Sequence, residues 1–186
     1  KFQLMRTILM TFILFTCLTS IAQENMVTLS GGYAFANIED FSDNATGWRI
    51  NGTYEFRPSA GSIAHGVSVG YLFMTAENSN ILGSTEIEIS TIPIYYAPKY
   101  IFGNKSLGGF VKGALGFQFS DLKQTGTIAS ISDNDSGFYG GLGLGGMKTF
   151  KDKFFINAEY EWAYMSNSFY KDGFVNSFML GVGVQF

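Results

Sequence analysis

Large apolar residues alternate with small or polar residues along residues 174–186, the last stretch of the chain. The even positions carry Phe174, Asn176, Phe178, Leu180, Val182, Val184 and Phe186, and the odd positions carry Val175, Ser177, Met179, Gly181, Gly183 and Gln185. A period of two over a dozen residues predicts a β-strand with one apolar face. The length and the terminal aromatic residue favour a strand whose large side chains face lipid. An amphipathic edge strand of a soluble sandwich is the alternative.

Seven earlier segments show the same alternation and are separated by polar connections. They occupy residues 27–36, 48–56, 63–74, 87–100, 107–120, 138–147 and 154–164. Eight alternating segments joined by turn residues are typical of barrels in the outer membrane. The pattern therefore predicts an all-β fold, an eight-stranded antiparallel up-and-down transmembrane β-barrel.

The fourth segment does not keep one phase. Ile87 and Ile89 are apolar at odd positions, whereas Ile92 and Ile94 are apolar at even positions. One extra residue in a strand moves all later side chains to the opposite face, so we expect a β-bulge near residues 90–93. Pro93 agrees with an interrupted ladder at that point.

The connections between the segments alternate between long polar loops and short turns. The long loops are predicted at residues 38–45, 77–84, 121–135 and 166–173, and the third of these is the longest. In outer-membrane barrels the short turns face the periplasm and the long loops face outward. We therefore expect the first strand to run outward, and the loop at 121–135 to be mobile and exposed.

Charged residues collect on the inward-facing positions of the predicted strands. Lys112 and Glu159 are expected at a similar depth, with the glycines of the strand between them leaving room for contact, and Arg49 and Glu161 form an analogous pair nearer the outside. The interior of an eight-stranded barrel is just wide enough to be filled by side chains. We expect these four residues to form a polar network that plugs the lumen, with a selective polar channel as the alternative.

The first 22 residues have the character of a cleaved signal peptide. Lys1 and Arg6 precede an apolar run at residues 8–18, and small residues at positions 20 and 22 predict cleavage after Ala22. Residues 23–186 are then the barrel domain. Lipid attachment at Cys17 is the alternative. Without the signal peptide the chain has 10 basic and 15 acidic residues and no cysteine, so no nucleic-acid surface and no disulfide are expected.

Candidate catalytic residues are few. His65 is the only histidine, and Ser68 lies three residues later, so the two side chains point to opposite faces of a strand. Glu159 and Glu161 share a face, but the nearby cations make a structural network the simpler interpretation. No metal-ligand cluster or nucleotide-binding glycine loop is present in the sequence, and we expect no cofactor and no enzymatic activity.

Two stretches resemble a known family: residues 97–100 (Ala-Pro-Lys-Tyr) leading into 109–119, and residues 180–186 at the C-terminus. They are similar to small eight-stranded outer-membrane proteins of the OmpA and OmpX type and to porin-like outer-membrane β-barrel domains. The resemblance implies location in the outer membrane of a Gram-negative bacterium, lipids as partners and a monomer. It also implies that Phe186 is a signal for the barrel assembly machinery.

The same resemblance leaves several roles open. The sequence departs from OmpA-like proteins because no soluble domain follows the barrel, so we expect no cell-wall anchoring. We expect instead a structural or surface-interaction role, with the four long loops as free surface for an unidentified extracellular ligand. A small-solute channel and a lipid-modifying enzyme are the rival interpretations.

Overall fold

The chain forms one antiparallel β-sheet that closes on itself. A computed structural model describes residues 23–38, 44–58, 61–80, 83–104, 106–126, 130–151 and 153–186. The strands are β1 Gln23–Ile38, β2 Asn44–Pro58, β3 Ile63–Asn80, β4 Gly83–Tyr96, β5 Lys99–Gly103, β6 Leu107–Gly126, β7 Ser130–Phe150, β8 Phe154–Met165 and β9 Tyr170–Gln185. In the described ranges, no helix is long and apolar enough to cross a membrane.

Nine strands occupy eight positions in the ring. β1 pairs with both β2 and β9, β2 pairs with β3, and the strands from β6 to β9 pair in order, which closes the barrel. β4 and β5 share one position because both pair with β3 and with β6. Ala97 and Pro98 interrupt this position, where Gly113 N donates to the Pro98 carbonyl at 2.8 Å. The predicted eight-stranded up-and-down barrel is confirmed.

The predicted β-bulge near residues 90–93 is wrong. The pairing of β4 with β3 keeps one register throughout, from Val69 opposite Ile94 to Thr75 opposite Glu88. Ile87 and Ile89 point into the barrel and are buried, whereas Ile92 and Ile94 point outward. The apolar residues change face because the interior itself becomes apolar at this end of the strand, so no extra residue is required.

Two of the predicted long loops are largely strand. β6 and β7 remain paired from Asp121 opposite Asn134 to Thr125 opposite Ser130, inside the stretch predicted to be mobile. β3 and β4 likewise pair up to Asn80 opposite Gly83. Beyond the membrane both faces of a strand can carry polar side chains, so alternation is lost although the backbone hydrogen bonds continue. The predictions of loops at 77–84 and 121–135 were therefore wrong.

Aromatic side chains on the outer surface form two belts. We call the end with Gln23, Phe186 and the short turns the inner end, and the opposite end the outer end. The outer belt contains Trp48, Tyr71, Phe119, Phe138, Trp162 and Tyr164, and the inner belt contains Phe56, Tyr100, Phe150, Phe154 and Phe186, all of them exposed. Apolar side chains cover the surface between the belts, as expected for contact with lipid.

The predicted signal peptide, residues 1–22, lies outside the described residues. Its cleavage after Ala22 and the alternative of lipid attachment at Cys17 stay predictions. The predicted loop at 38–45 also falls largely outside, since residues 39–43 are not among those described.

Candidate functional site

Glu161 on β8 lies at the centre of a buried charge network inside the barrel. Its Oε1 is 2.6 Å from Arg49 Nη1 on β2, and its Oε2 is 2.6 Å from Lys112 Nζ on β6. Lys112 also forms an ion pair with Glu159, two residues before Glu161 on the same strand face. The structure thus brings together all four residues predicted for the lumen network, and it adds a contact between Lys112 and Glu161.

Two tyrosines complete the polar shell around Arg49. Its Nη2 donates to Tyr139 Oη at 2.8 Å and to Tyr95 Oη at 3.2 Å, and its Nε donates to Asn51 Oδ1 at 3.2 Å. Tyr139 in turn donates its hydroxyl proton to Glu161. Every guanidinium nitrogen therefore has a protein partner, which a buried cation needs. Neither tyrosine was among the four residues predicted for the network.

Glycines of β7 make space for the network. Gly143 lies between Lys112 on β6 and Glu161 on β8 in the sheet. A Cβ atom at Gly143 would lie 2.8 Å from Glu159 Oε1 and 3.2 Å from Lys112 Cε. A larger residue there would displace the ion pair, so the absence of a side chain allows Lys112 to reach the carboxylates of β8.

A second buried ion pair lies closer to the inner end. Lys99 Nζ is 2.6 Å from Glu55 Oε1 and 4.7 Å from the centroid of the Phe110 ring. Lys99 was not among the predicted network residues. The sequence could have indicated its position, because Tyr96 and Tyr100 are at outward, even-numbered positions. Alternation then places the odd-numbered Lys99 inside the barrel. Among the described residues, the buried ion pairs then hold three cations and three carboxylates and are electrically balanced.

An apolar cluster, which was not predicted from the sequence, fills the interior toward the outer end. It is built from Leu72, Met74, Ile89, Met165, Phe169 and Tyr170, with smaller residues between them. These side chains are among the buried residues of the barrel, so the polar network is covered by an apolar layer.

The turn before β9 contributes to this apolar layer. Phe169 and Tyr170 fold inward and are 5% and 2% exposed. Asn167 Nδ2 donates to Ser120 Oγ at 3.3 Å, and Ser168 N donates to Asp135 Oδ2 at 3.1 Å. The prediction that all of residues 166–173 are free surface was therefore wrong, because this turn packs into the outer mouth of the barrel.

The family model for the outer membrane protein β-barrel domain matches residues 8–186. The chain belongs to this family. A search of curated protein sequences found no matching relative. Membership places the barrel in the outer membrane among its lipids, as the aromatic belts and the apolar surface between them require.

Solved structures of other outer-membrane β-barrel proteins have a similar fold. Ail, the attachment invasion locus protein of Yersinia pestis, is 20% identical over 87% of this chain and 99% of its own, with a TM-score of 0.56. Neisserial surface protein A is 14% identical over 87% and 97%, with a TM-score of 0.60. A second structure of Ail, with 21% identity over 87% and 99% and a TM-score of 0.52, contains the heparin analogue sucrose octasulfate.

His65, the single histidine of this outer-membrane β-barrel protein, has its side chain on the outward-facing side of the barrel wall. The His65 ring is 5.3 Å from the Phe56 ring, and its Nδ1 is hydrogen-bonded to Tyr96 Oη at 2.5 Å. Ser68 points inward and contacts Thr53 Oγ1 at 2.9 Å. The two side chains are on opposite faces of β3. Within the described residues, no group of histidine, cysteine or acidic side chains could hold a metal ion.

The predicted assembly signal, Phe186, lies at the seam between the first and last strands. Its backbone N donates to Asn25 O, and Asn25 N donates to Phe186 O, both at 2.9 Å. Its side chain is 68% exposed on the inner belt. An accessible ring at the seam is compatible with recognition by the assembly machinery, and that role stays a prediction.

Proposed function

We propose that this outer-membrane barrel has a structural and surface-interaction role, carried by the strands that extend beyond the outer belt. In this proposal the network of Arg49, Lys112, Glu159 and Glu161 closes the lumen. The paired and balanced interior charges support the closure, and the apolar layer above them supports it further. Interaction with partners then falls to the outer end.

The observation that carries this proposal is the strongly acidic character of the outer end. In the described parts of this end, residues 37–38, 44–46, 75–80, 83–90, 120–126, 130–136 and 166–173, there are seven acidic residues and two lysines, a net charge of −5. The acidic residues are Glu77, Glu86, Glu88, Asp121, Asp133, Asp135 and Asp172. A surface with one predominant sign of charge attracts partners of the opposite sign and repels those of its own.

The charge favours a cationic partner, such as a basic segment of another protein. Ail has been solved with a polyanion, the heparin analogue sucrose octasulfate. The present chain shares its fold, but its acidic outer end would repel such a ligand. We therefore propose a surface that selects positive charge on an Ail-like scaffold.

The separation of His65 and Ser68 supports a role other than lipid hydrolysis, because a serine nucleophile needs its base within hydrogen-bond reach.

Binding to charged probes tests this proposal. The purified barrel in uncharged nanodiscs should bind a lysine-rich peptide with an affinity that falls as salt rises, and it should not bind sucrose octasulfate. The triple variant Glu86→Gln, Asp121→Asn, Asp133→Asn should bind the peptide about tenfold more weakly.

The matched control changes charge in the opposite direction. Replacing Lys123 and Lys171 with glutamine makes the outer end more acidic and should strengthen peptide binding. Preference for sucrose octasulfate over the peptide, or equal peptide binding by all three proteins, would contradict the proposed surface.

A further inference from the structure

Three lysines lie together at the inner end, on the hairpin that joins β7 to β8. Lys148 is near the end of β7, and Lys151 and Lys153 belong to the short turn that follows; all three are exposed. Among the described residues, Lys148 is the only lysine or arginine whose side chain points out of the barrel between the two aromatic belts. We call these three residues the lysine corner.

Among the described residues, the surroundings of Lys148 are apolar and contain no acidic partner. It lies opposite Leu107 on β6 and Ile156 on β8, which are 62% and 49% exposed, and its ammonium is 5.5 Å from the centroid of the Phe150 ring. In the described ranges, no carboxylate lies within ion-pair distance of any residue of the lysine corner. An ammonium at the edge of the hydrocarbon region is unfavourable unless an anion or water satisfies it.

The backbone holds the lysine corner in a fixed arrangement. Lys153 N donates to the Phe150 carbonyl at 3.2 Å, and Gln185 N of β9 donates to the Lys153 carbonyl at 2.7 Å. Lys151 adopts a left-handed backbone conformation with φ of 52°. The turn is therefore tied to the neighbouring strand, which fixes the backbone positions from which the three lysine side chains extend at the inner end.

We infer that the lysine corner binds the phosphate of anionic phospholipids in the periplasmic leaflet. Lysine ammonium groups are point charges that bind phosphate oxygens well. The exposed side chains of Leu107 and Ile156 beside Lys148 offer an apolar surface to the acyl chains of the same lipid. This combination selects a lipid phosphate over a free phosphate ion, which has nothing to place on the apolar surface.

The charge of the inner end favours lipids with a net negative charge. Outside the buried ion pairs, the described part of this end contains four basic residues, Arg57, Lys148, Lys151 and Lys153, and one acidic residue, Glu24. The net charge of +3 is opposite in sign to that of the outer end. A phosphatidylglycerol headgroup carries no cation, whereas the ammonium of phosphatidylethanolamine would be repelled by the lysines.

Native mass spectrometry on the full barrel tests the inference. Protein released from micelles that contain equal amounts of phosphatidylglycerol and phosphatidylethanolamine should retain phosphatidylglycerol preferentially. Lys148→Gln should lower this preference about fivefold, and the triple variant with Lys151→Gln and Lys153→Gln should abolish it. Lys148→Arg should retain the preference.

The controls separate lipid binding from charge alone and from free phosphate. The variant Lys123→Gln, Lys171→Gln removes lysines from the outer end and should keep the preference of the wild type. Inorganic phosphate at millimolar concentration should not displace the bound lipid. An unchanged preference in the triple variant, no preference in the wild type, or displacement by inorganic phosphate would each overturn the inference.

Discussion

Replacing Glu161 with glutamine is expected to destabilise the barrel by about 3–5 kcal/mol, because Arg49 would lose its carboxylate partner. Both side chains are fully buried, and the Arg49–Glu161 contact is 2.6 Å long. Glutamine keeps the shape and part of the hydrogen bonding but leaves an uncompensated cation in the interior. Equilibrium unfolding by denaturant in detergent micelles, followed by tryptophan fluorescence, measures the change in the free energy of unfolding.

Glu159→Gln is the matched control for this prediction. Glu159 lies two residues away on the same face, but its partner Lys112 also contacts Glu161 and keeps that carboxylate after the substitution. We therefore expect a smaller loss, about 1–2 kcal/mol. Equal losses for the two variants, or a loss below about 1 kcal/mol for Glu161→Gln, would show that Glu161 is not the centre of the network.

Replacing Gly32 with alanine is expected to prevent normal closure of the barrel. Gly32 of β1 is paired with Met179 of β9, at the seam between the first and last strands. A Cβ atom there would overlap the Phe178 carbonyl and lie 2.7 Å from Met179 Cα. Backbone atoms cannot rotate away as a flexible side chain can, so the two strands would have to separate. We expect a loss of at least about 3 kcal/mol and a low yield of folded barrel.

Gly31→Ala provides a control at the neighbouring position. Gly31 faces lipid, and its Cβ would have an ordinary contact with Arg49 O at 3.5 Å. Stability should change by no more than about 0.5 kcal/mol. The heat-dependent shift of the folded band on an electrophoresis gel, measured after refolding both variants, compares them directly. A normal yield of folded Gly32→Ala barrel would contradict the predicted clash.

The alternation of residues predicted the lipid-facing surface well between the two aromatic belts. There, one face of each strand contacts lipid and the other contacts a mixed interior, so large apolar side chains identify the outward face. Toward the outer end this rule no longer applies. Ile87 and Ile89 are buried inside the barrel, so their apolar character wrongly suggested a change of face.

The sequence predicted only part of the interior, because residue type reveals the inward position of charged residues but not that of tyrosines. Charged residues at inward positions are unusual enough to identify Arg49, Lys112, Glu159 and Glu161 as interior groups. Tyrosines occur on both faces, so Tyr95 and Tyr139 could be assigned to the network only when the structure placed their hydroxyl groups beside Arg49. The inward fold of Phe169 and Tyr170 depends on long-range packing, which a local pattern does not contain.

Single-channel recording in planar bilayers tests the proposed closure of the lumen most directly. The barrel is reconstituted from detergent, and insertion is verified by the mobility shift of the folded band in protein recovered from the bilayer-forming vesicles. The paired interior charges and the apolar layer above them predict no stable conductance. A steady open level of the same size after each insertion would contradict the closed lumen and favour a small-solute channel.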